Sequence, residues 1–507
     1  MAFCRVSNLK RTIRFGVNMK QHWIGGEWFG QANKEPINII NPATEEVFEQ
    51  VQDGSREDAD AAVVAANKAF GIWHRMTAVS RGELLHEVAD RLKAQTDEIA
   101  RILTLEGGKP LKENIDEVGW CVACFHYYAE IGRNSRGRVI PSIESTQLSM
   151  VLKEPYGVVV CIVPYNYPLL LMAWKVAPAL AAGNTVIIKP SSITPLSTLA
   201  LSECFEVLPP GTVNIVTGSG EEVGNILVAH PDTHVVAFTG STETGRKIAR
   251  KCAESFKKVM LELGGKDPFV VCEDSDVNVA AKAVAWAAYL NAGQVCTSSE
   301  RIYVQRAIAD RFLEALVTFT GTLRLGPGIE PSTDIGPMAR DHYRRKVEEH
   351  VEEARKKGAV ILTGGKRPEG FQKGFYYEPT VLINVTHAMR VMNEETFGPV
   401  APVMIYNDFD EAIRLAQGTQ YGLGAVLFTR DALKAKTFFE EVKAGSIWIN
   451  DPLTDNDAGP FGGMKMSGLG RELGLEGLEE FMETKHVHWD FVQQEKSWWY
   501  PYKRESN

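Results

Sequence analysis

Between residues 158 and 270 short apolar runs alternate with amphipathic stretches, and this alternation constrains the fold more than any other feature of the chain. Val158-Val159-Val160-Cys161-Ile162-Val163 precedes a stretch over 169–182, and Thr185-Val186-Ile187-Ile188 precedes 195–208. Val213-Asn214-Ile215-Val216 then precedes 222–229, and Val235-Val236-Ala237-Phe238 follows. Short buried strands alternating with helices predict a parallel, doubly wound α/β sheet. A second α/β series runs from Pro268-Phe269-Val270-Val271 through an expected helix over 277–292 and a strand at Ile302-Tyr303-Val304 to Trp448-Ile449-Asn450. The charged stretch 340–357 reads as a helix with a solvated face. No internal repeat or low-complexity linker marks a boundary between the series.

At 507 residues the chain is too long for one ordinary core, and 44% hydrophobic with 23% charged residues is the balance of a soluble globular protein of two or more domains. A formal net charge of -9 argues against nucleic acid as a partner, because neutralising phosphates requires a basic face. The apolar stretch Leu169-Leu170-Leu171-Met172-Ala173-Trp174 is stopped by Lys175 well short of the ~20 residues needed to cross a bilayer, so no membrane span is expected. Eight cysteines without dense spacing fit a reducing compartment. Cys121 and Cys124 have a metal-like spacing but lack a second pair, so they read as packing and no metal site is expected. Residues 1–18 carry Arg5, Lys10, Arg11 and Arg14 and no acid. That composition suits a mitochondrial presequence, but an extension upstream of Met19 in a cytoplasmic protein is the preferred reading.

Cys296 stands in Asn291-Ala292-Gly293-Gln294-Val295-Cys296-Thr297-Ser298-Ser299-Glu300-Arg301, thirty-four residues after Glu262 in Leu261-Glu262-Leu263-Gly264-Gly265-Lys266. A thiol needs no strong base to become a nucleophile, and a nearby carboxylate can activate the water that releases an acylated cysteine. A free cysteine taken alone is more often a small buried hydrophobe. The flanking sequence decides otherwise, because both segments resemble the aldehyde dehydrogenase superfamily. Further matching stretches are Pro164-Tyr165-Asn166-Tyr167-Pro168, Ile188-Lys189-Pro190-Ser191, Phe238-Thr239-Gly240-Ser241-Thr242, Glu394-Glu395-Thr396-Phe397-Gly398-Pro399 and Phe461-Gly462-Gly463-Met464-Lys465-Met466-Ser467-Gly468. The resemblance runs from about Trp23 to Phe481, in family order.

The resemblance implies a Rossmann-like cofactor domain over 19–131 and 153–264, a catalytic α/β domain over 265–464, and an N-terminal extension over 1–18. A small β oligomerisation element over 132–152 and 480–507 would serve a homodimer or homotetramer. It also implies a catalytic set: Cys296 as nucleophile, Glu262 as general base for thioester hydrolysis, Asn166 with the Cys296 N–H as oxyanion donors, and Lys175 as a supporting group. Alone, Asn166 would read as a turn former and Glu262 as a surface carboxylate. A second, C-terminal acid is less secure, and Glu476 is left outside the set.

For a nicotinamide cofactor, NADP or NAD, the resemblance implies Lys189 at the adenosine ribose and Thr239, Gly240 and Ser241 at the pyrophosphate. Gly220 and Gly224 would line the adenine side, Glu395 the nicotinamide ribose, and Phe397 the ring. Ser192 occupies the place where NAD-preferring relatives usually carry a glutamate, which leaves room for a 2′-phosphate. Tyr167, Trp174, Thr297, Asp451, Leu453 and Asp455 face the substrate in the same comparison. Trp174 and Leu290 stand where relatives acting on succinate semialdehyde place arginines, so anionic aldehydes are disfavoured. Aromatic, medium aliphatic and amino or betaine-type aldehydes remain, and the run Asn166-Tyr167-Pro168-Leu169-Leu170 resembles the last group. The rival readings are a catalytically silent relative, a cysteine esterase and a succinate-semialdehyde-type enzyme.

Overall fold

The computed structural model describes residues 19–30 and 34–502, so the Arg-rich segment 1–18 lies outside the described residues. The apolar runs form the parallel heart of an eight-stranded sheet, in spatial order Val213–Ile215, Thr185–Lys189, Val158–Ile162, Val235–Thr239 and Lys258–Glu262. The chain enters at the central strand, steps twice to one side, and returns across its starting strand to the other. That reversal opens a crevice beyond the carboxyl ends of Val158–Ile162 and Val235–Thr239. An N-terminal hairpin of His22–Ile24 and Glu27–Phe29 extends one edge, and Gly468–Leu469 closes the other. Every residue of the three central strands is buried, and each Val or Ile so placed contributes about 1.5–3 kcal/mol.

The helix Pro168–Ala182 begins with proline at its first position, where a missing N–H is harmless, and ends at Gly183 with φ 103°. All of its residues are buried, including Lys175, and an ammonium taken that far from water needs a partner of opposite charge.

The second series forms a seven-stranded sheet, in order Val360–Thr363, Thr380–Ile383, Val400–Tyr406, Ser299–Gln305, Asp267–Val271, Gly424–Phe428 and Ser446–Ile449. Only its first pair is antiparallel. A separate three-stranded antiparallel sheet joins Arg138–Ile140, Gln147–Pro155 and Met482–Asp490. Among the described residues, no helix is long and apolar enough to cross a membrane, and no group of three or more His, Cys, Asp or Glu is placed to hold a metal. Cys121 and Cys124 are free and fully buried in the helix Leu111–Ile131.

The structure departs from the sequence reading in three places. The stretch 195–208 divides into two short helices, Leu196–Ala200 and Ser202–Phe205. The charged helix Asp341–Lys356 is not wholly solvated, since Arg344, Val347, His350 and Val351 are buried beneath it. The helix expected over 277–292 stops at Tyr289, and Asn291, Ala292 and Gly293 follow with φ of 49°, 53° and 73°. Left-handed backbone costs about 1–2 kcal/mol for each non-glycine residue, so surrounding bonds have to hold it. They do: Glu113 accepts the Asn291 N–H at 3.1 Å, the Asn291 amide donates to the Asn166 carbonyl at 3.2 Å, and Gln294 Oε1 accepts from Ala339 at 3.1 Å. Gly293 is obligatory, because a Cβ there would fall 2.1 Å from the Gly398 carbonyl oxygen.

Candidate active site

The two large sheets meet where Glu262 ends one strand and Asp267 begins the first strand of the next sheet. The left-handed turn at 291–293 delivers Cys296 to the same junction, just before the strand Ser299–Gln305. Glu262 is 3% exposed, and neither of its carboxylate oxygens has a hydrogen-bond partner. Burial pushes its carboxyl up to about 8, neighbouring Glu472 adds to the rise, and Lys175 opposes it. The Cys296 thiol lies close enough for the two groups to feel each other's charge, without a well-formed hydrogen bond between them. Burial raises that thiol well above its ordinary value, and Glu262 raises it further. Some of the Cys296 surface nevertheless stays open to a cavity.

Asn166 occupies the loop between the strand Val158–Ile162 and the helix Pro168–Ala182, in the crevice that the strand order creates. One of its two amide N–H groups donates to the Gln294 carbonyl at 3.0 Å, which leaves the second for the cavity that Asn166 lines. Its backbone carbonyl accepts from Lys109 at 3.2 Å. The Cys296 N–H makes no hydrogen bond among the described residues. Two donors thus remain beside the thiol, the arrangement a developing oxyanion requires.

Lys175 finds its partner in Glu472, at 2.5 Å, and also donates to the Thr239 hydroxyl at 2.6 Å and the Leu171 carbonyl at 3.2 Å. Glu472 is not among the residues singled out by the sequence, although an ammonium inside a wholly apolar helix signals that a buried acid must exist. Its second oxygen is unpartnered, and it neighbours Glu262. Glu476, by contrast, is exposed on the short helix Gly474–Glu479.

A cavity of about 840 Å³ opens from Cys296 and is lined by all six residues expected to face a substrate: Tyr167, Trp174, Thr297, Asp451, Leu453 and Asp455. Trp174 packs against Phe461 at a centroid distance of 4.9 Å, and the Lys109 ammonium sits 3.6 Å from the centre of the Tyr167 ring. Half-exposed Trp120 and Trp286 also line it. Its charged lining consists of Asp451, Asp455 and Asp457 against Lys282. Asp455 keeps an accessible surface inside the tunnel while protein surrounds it, and burial, with Asp457 beside it, lifts its carboxyl to about 7.

On the other side of the crevice, burial lowers Lys189 to about 8, opposed by nearby Asp53. One Asp53 oxygen is buried without a partner, a feature the sequence does not reveal. Ser192 lies on the bend after Lys189, partly exposed. Ser241 caps the helix Thr242–Ala253, and Gly245 lets that helix press onto the sheet, because a Cβ there would meet Leu263 at 2.4 Å. Gly240 donates to the Glu262 carbonyl at 3.1 Å. At Gly220 an added Cβ meets nothing within 4 Å, and at Gly224 only Lys189 Cδ at 4.0 Å, so the backbone there borders open space. Open space beside a helix N-terminus and a lysine suits a dinucleotide. Glu395 accepts from the Gly265 N–H at 3.2 Å and is raised to about 7, chiefly by burial and then by Glu300. Phe397 follows with φ 57°, its ring edge-on to Tyr165 at 6.2 Å.

Comparison with known proteins gives a consistent picture. The aldehyde dehydrogenase family matches residues 28–487. The betaine aldehyde dehydrogenase of Bacillus subtilis (strain 168) is 40% identical over 92% of this chain and 96% of its own length. The mitochondrial succinate-semialdehyde dehydrogenase of Arabidopsis thaliana is likewise 40% identical, over 93% of this chain and 89% of its own length. The crystal structure of a Staphylococcus aureus betaine aldehyde dehydrogenase in complex with NAD+ superposes with a TM-score of 0.92 at 40% identity, covering 95% of this chain and 97% of that one.

Proposed function

The chain belongs to the aldehyde dehydrogenase family, and on that premise we propose that it oxidises an amino or betaine-type aldehyde to the free acid through a thioester on Cys296. It is an NAD(P)-dependent, aldehyde-oxidising oxidoreductase. The observation that carries the mechanistic reading is the convergence of a thiol, an unpartnered buried carboxylate and two free N–H donors at one end of an aromatic cavity. Cys296 adds to the carbonyl carbon, and the Asn166 amide and Cys296 N–H hold the oxyanion of the thiohemiacetal. Lys189, the cap at Ser241, Glu395 and Phe397 would hold the cofactor, whose nicotinamide, when bound, would accept the hydride whose loss turns the thiohemiacetal into the thioester. Glu262 then removes a proton from the water that attacks the thioester, and the acid leaves with the thiol restored.

Protonated Glu262 is a poor base, so hydrolysis strengthens as pH rises through about 8. Turnover limited by that step should climb about tenfold or more between pH ~6.5 and ~8.5. A stopped-flow and steady-state pH series checks this, and a rate that falls over that interval contradicts it.

A choice among aldehydes follows from charge, since 40% identity to both a betaine-aldehyde and a succinate-semialdehyde enzyme does not decide it. The acidic lining of Asp451 and Asp457, joined by Asp455 as it ionises above about 7, outweighs the single Lys282 and disfavours a carboxylate tail, and aromatic walls suit an ammonium. Betaine aldehyde or an aminoaldehyde should exceed succinate semialdehyde in kcat/KM by about a hundredfold or more, with benzaldehyde and hexanal between them. The highest efficiency for succinate semialdehyde in that panel would overturn the assignment.

NADP should be accepted at least comparably to NAD, because Ser192 offers a hydroxyl and no carboxylate to the 2′-phosphate. Ser192→Glu should move preference toward NAD. Strong discrimination against NADP in steady-state kinetics would refute this and would point to Asp53, whose charge acts on Lys189. A homodimer or homotetramer is supported by the separate three-stranded sheet and by Trp489, Phe491, Trp498 and Trp499 exposed at its end of the chain. The free state of the seven described cysteines supports a reducing compartment, with the cytoplasm preferred over the mitochondrial matrix.

A further inference from the structure

Glu300 lies four residues beyond Cys296 on the strand Ser299–Gln305 and is 2% exposed. Its carboxylate serves two separate segments. Oε2 receives the Lys266 ammonium at 2.5 Å and the Thr396 N–H at 2.7 Å, and Oε1 receives the Phe397 N–H at 2.6 Å. Lys266 belongs to the short linker from Glu262 to the second sheet, and it also reaches the Thr396 hydroxyl at 3.3 Å. The linker is itself anchored to the Cys296 side, because Arg301 donates to the Lys266 carbonyl at 2.7 Å.

The segment so gripped is the one that carries Glu395 and Phe397. Phe397 is a bulky residue with φ 57°, a conformation that persists only where neighbours over-determine it, and the two consecutive N–H bonds to Glu300 supply that constraint. Glu395 is packed just as closely: a Cβ on Gly264 would stand 2.7 Å from its Oε1. A purely structural ion pair with Lys266 would need neither N–H bond.

We infer that Glu300 is a positioning residue that locks the Glu395–Phe397 segment, and with it the nicotinamide end of the cofactor site, to the strand that follows the nucleophile. The inference rests on the reading of Glu395 and Phe397 as cofactor residues. It assigns Glu300 no contact with substrate or cofactor.

Three variants test it. Glu300→Gln keeps the shape but accepts at one atom only, and Lys266→Met/Glu300→Gln removes both buried charges together so that no orphaned ammonium unfolds the site. Glu395→Gln, measured in parallel, tests the underlying reading. In calorimetric titration both Glu300 variants should bind NAD about tenfold more weakly, and the burst of reduced cofactor should slow by about the same factor. Alkylation of Cys296 by iodoacetamide without cofactor should stay within about twofold of wild type. If Glu395→Gln weakens NAD binding and the folded double variant does not, the role of Glu300 is overturned. An alkylation rate that falls as far as the NAD affinity also overturns it, because the defect would then be general. If Glu395→Gln leaves NAD binding unchanged, the reading beneath the inference fails first.

Discussion

Cys296→Ala should lower the oxidation of every aldehyde by about ten-thousand-fold or more, while NAD binding stays within about threefold of wild type. In the proposed mechanism the thiol is the nucleophile, lining the same cavity as Asn166, and alanine leaves no atom there to bond the carbonyl carbon. The cofactor side should be nearly untouched, since Lys189 and the helix Thr242–Ala253 belong to the other sheet and its cover. Folding should survive as well: Cys296 retains an open face, so losing its sulfur creates no sealed void. Turnover measured by reduced-nicotinamide absorbance and binding measured by calorimetry separate these effects. Ordinary turnover in Cys296→Ala would end the assignment of Cys296 as the nucleophile.

Glu262→Gln should fail differently. The neutral amide keeps the shape of a side chain whose carboxyl burial already holds near 8, so acylation of Cys296 proceeds once. The amide cannot take a proton from water, and steady turnover should drop by about a hundredfold to ten-thousandfold after one equivalent of reduced cofactor has formed. Near neutral pH the Glu262 carboxyl is already mostly uncharged, so the amide changes little beside Glu472 and the variant is expected to fold about as well as wild type. A plain esterase would show no burst of reduced cofactor in either protein.

The parallel sheet was legible in the alternation of apolar runs, and the site was legible in the motifs that lie between and after them. Val158–Ile162 and Val235–Thr239 could be read as buried strands, whereas Asn166, Thr239 and Glu262 were legible only through the motifs that resemble the aldehyde dehydrogenase superfamily. What stayed hidden depends on contacts distant in sequence. Glu472 pairs with Lys175 across 297 positions, and no local pattern links them. The left-handed turn at 291–293 was not read from the sequence because the bonds that stabilise it come from the distant Glu113, Asn166 and Ala339. The same holds for Glu300, whose neighbours Thr396 and Phe397 lie nearly a hundred residues on.

The central claim is that Cys296 carries an acyl group that Glu262 releases. Mixing Glu262→Gln with betaine aldehyde and NAD, quenching in acid and locating the adduct by mass spectrometry tests it most directly. The account predicts a near-stoichiometric acyl thioester on the peptide containing Cys296, formed together with one equivalent of reduced cofactor. An unmodified Cys296 in a variant that has produced reduced cofactor, or steady turnover without the glutamate, would contradict it.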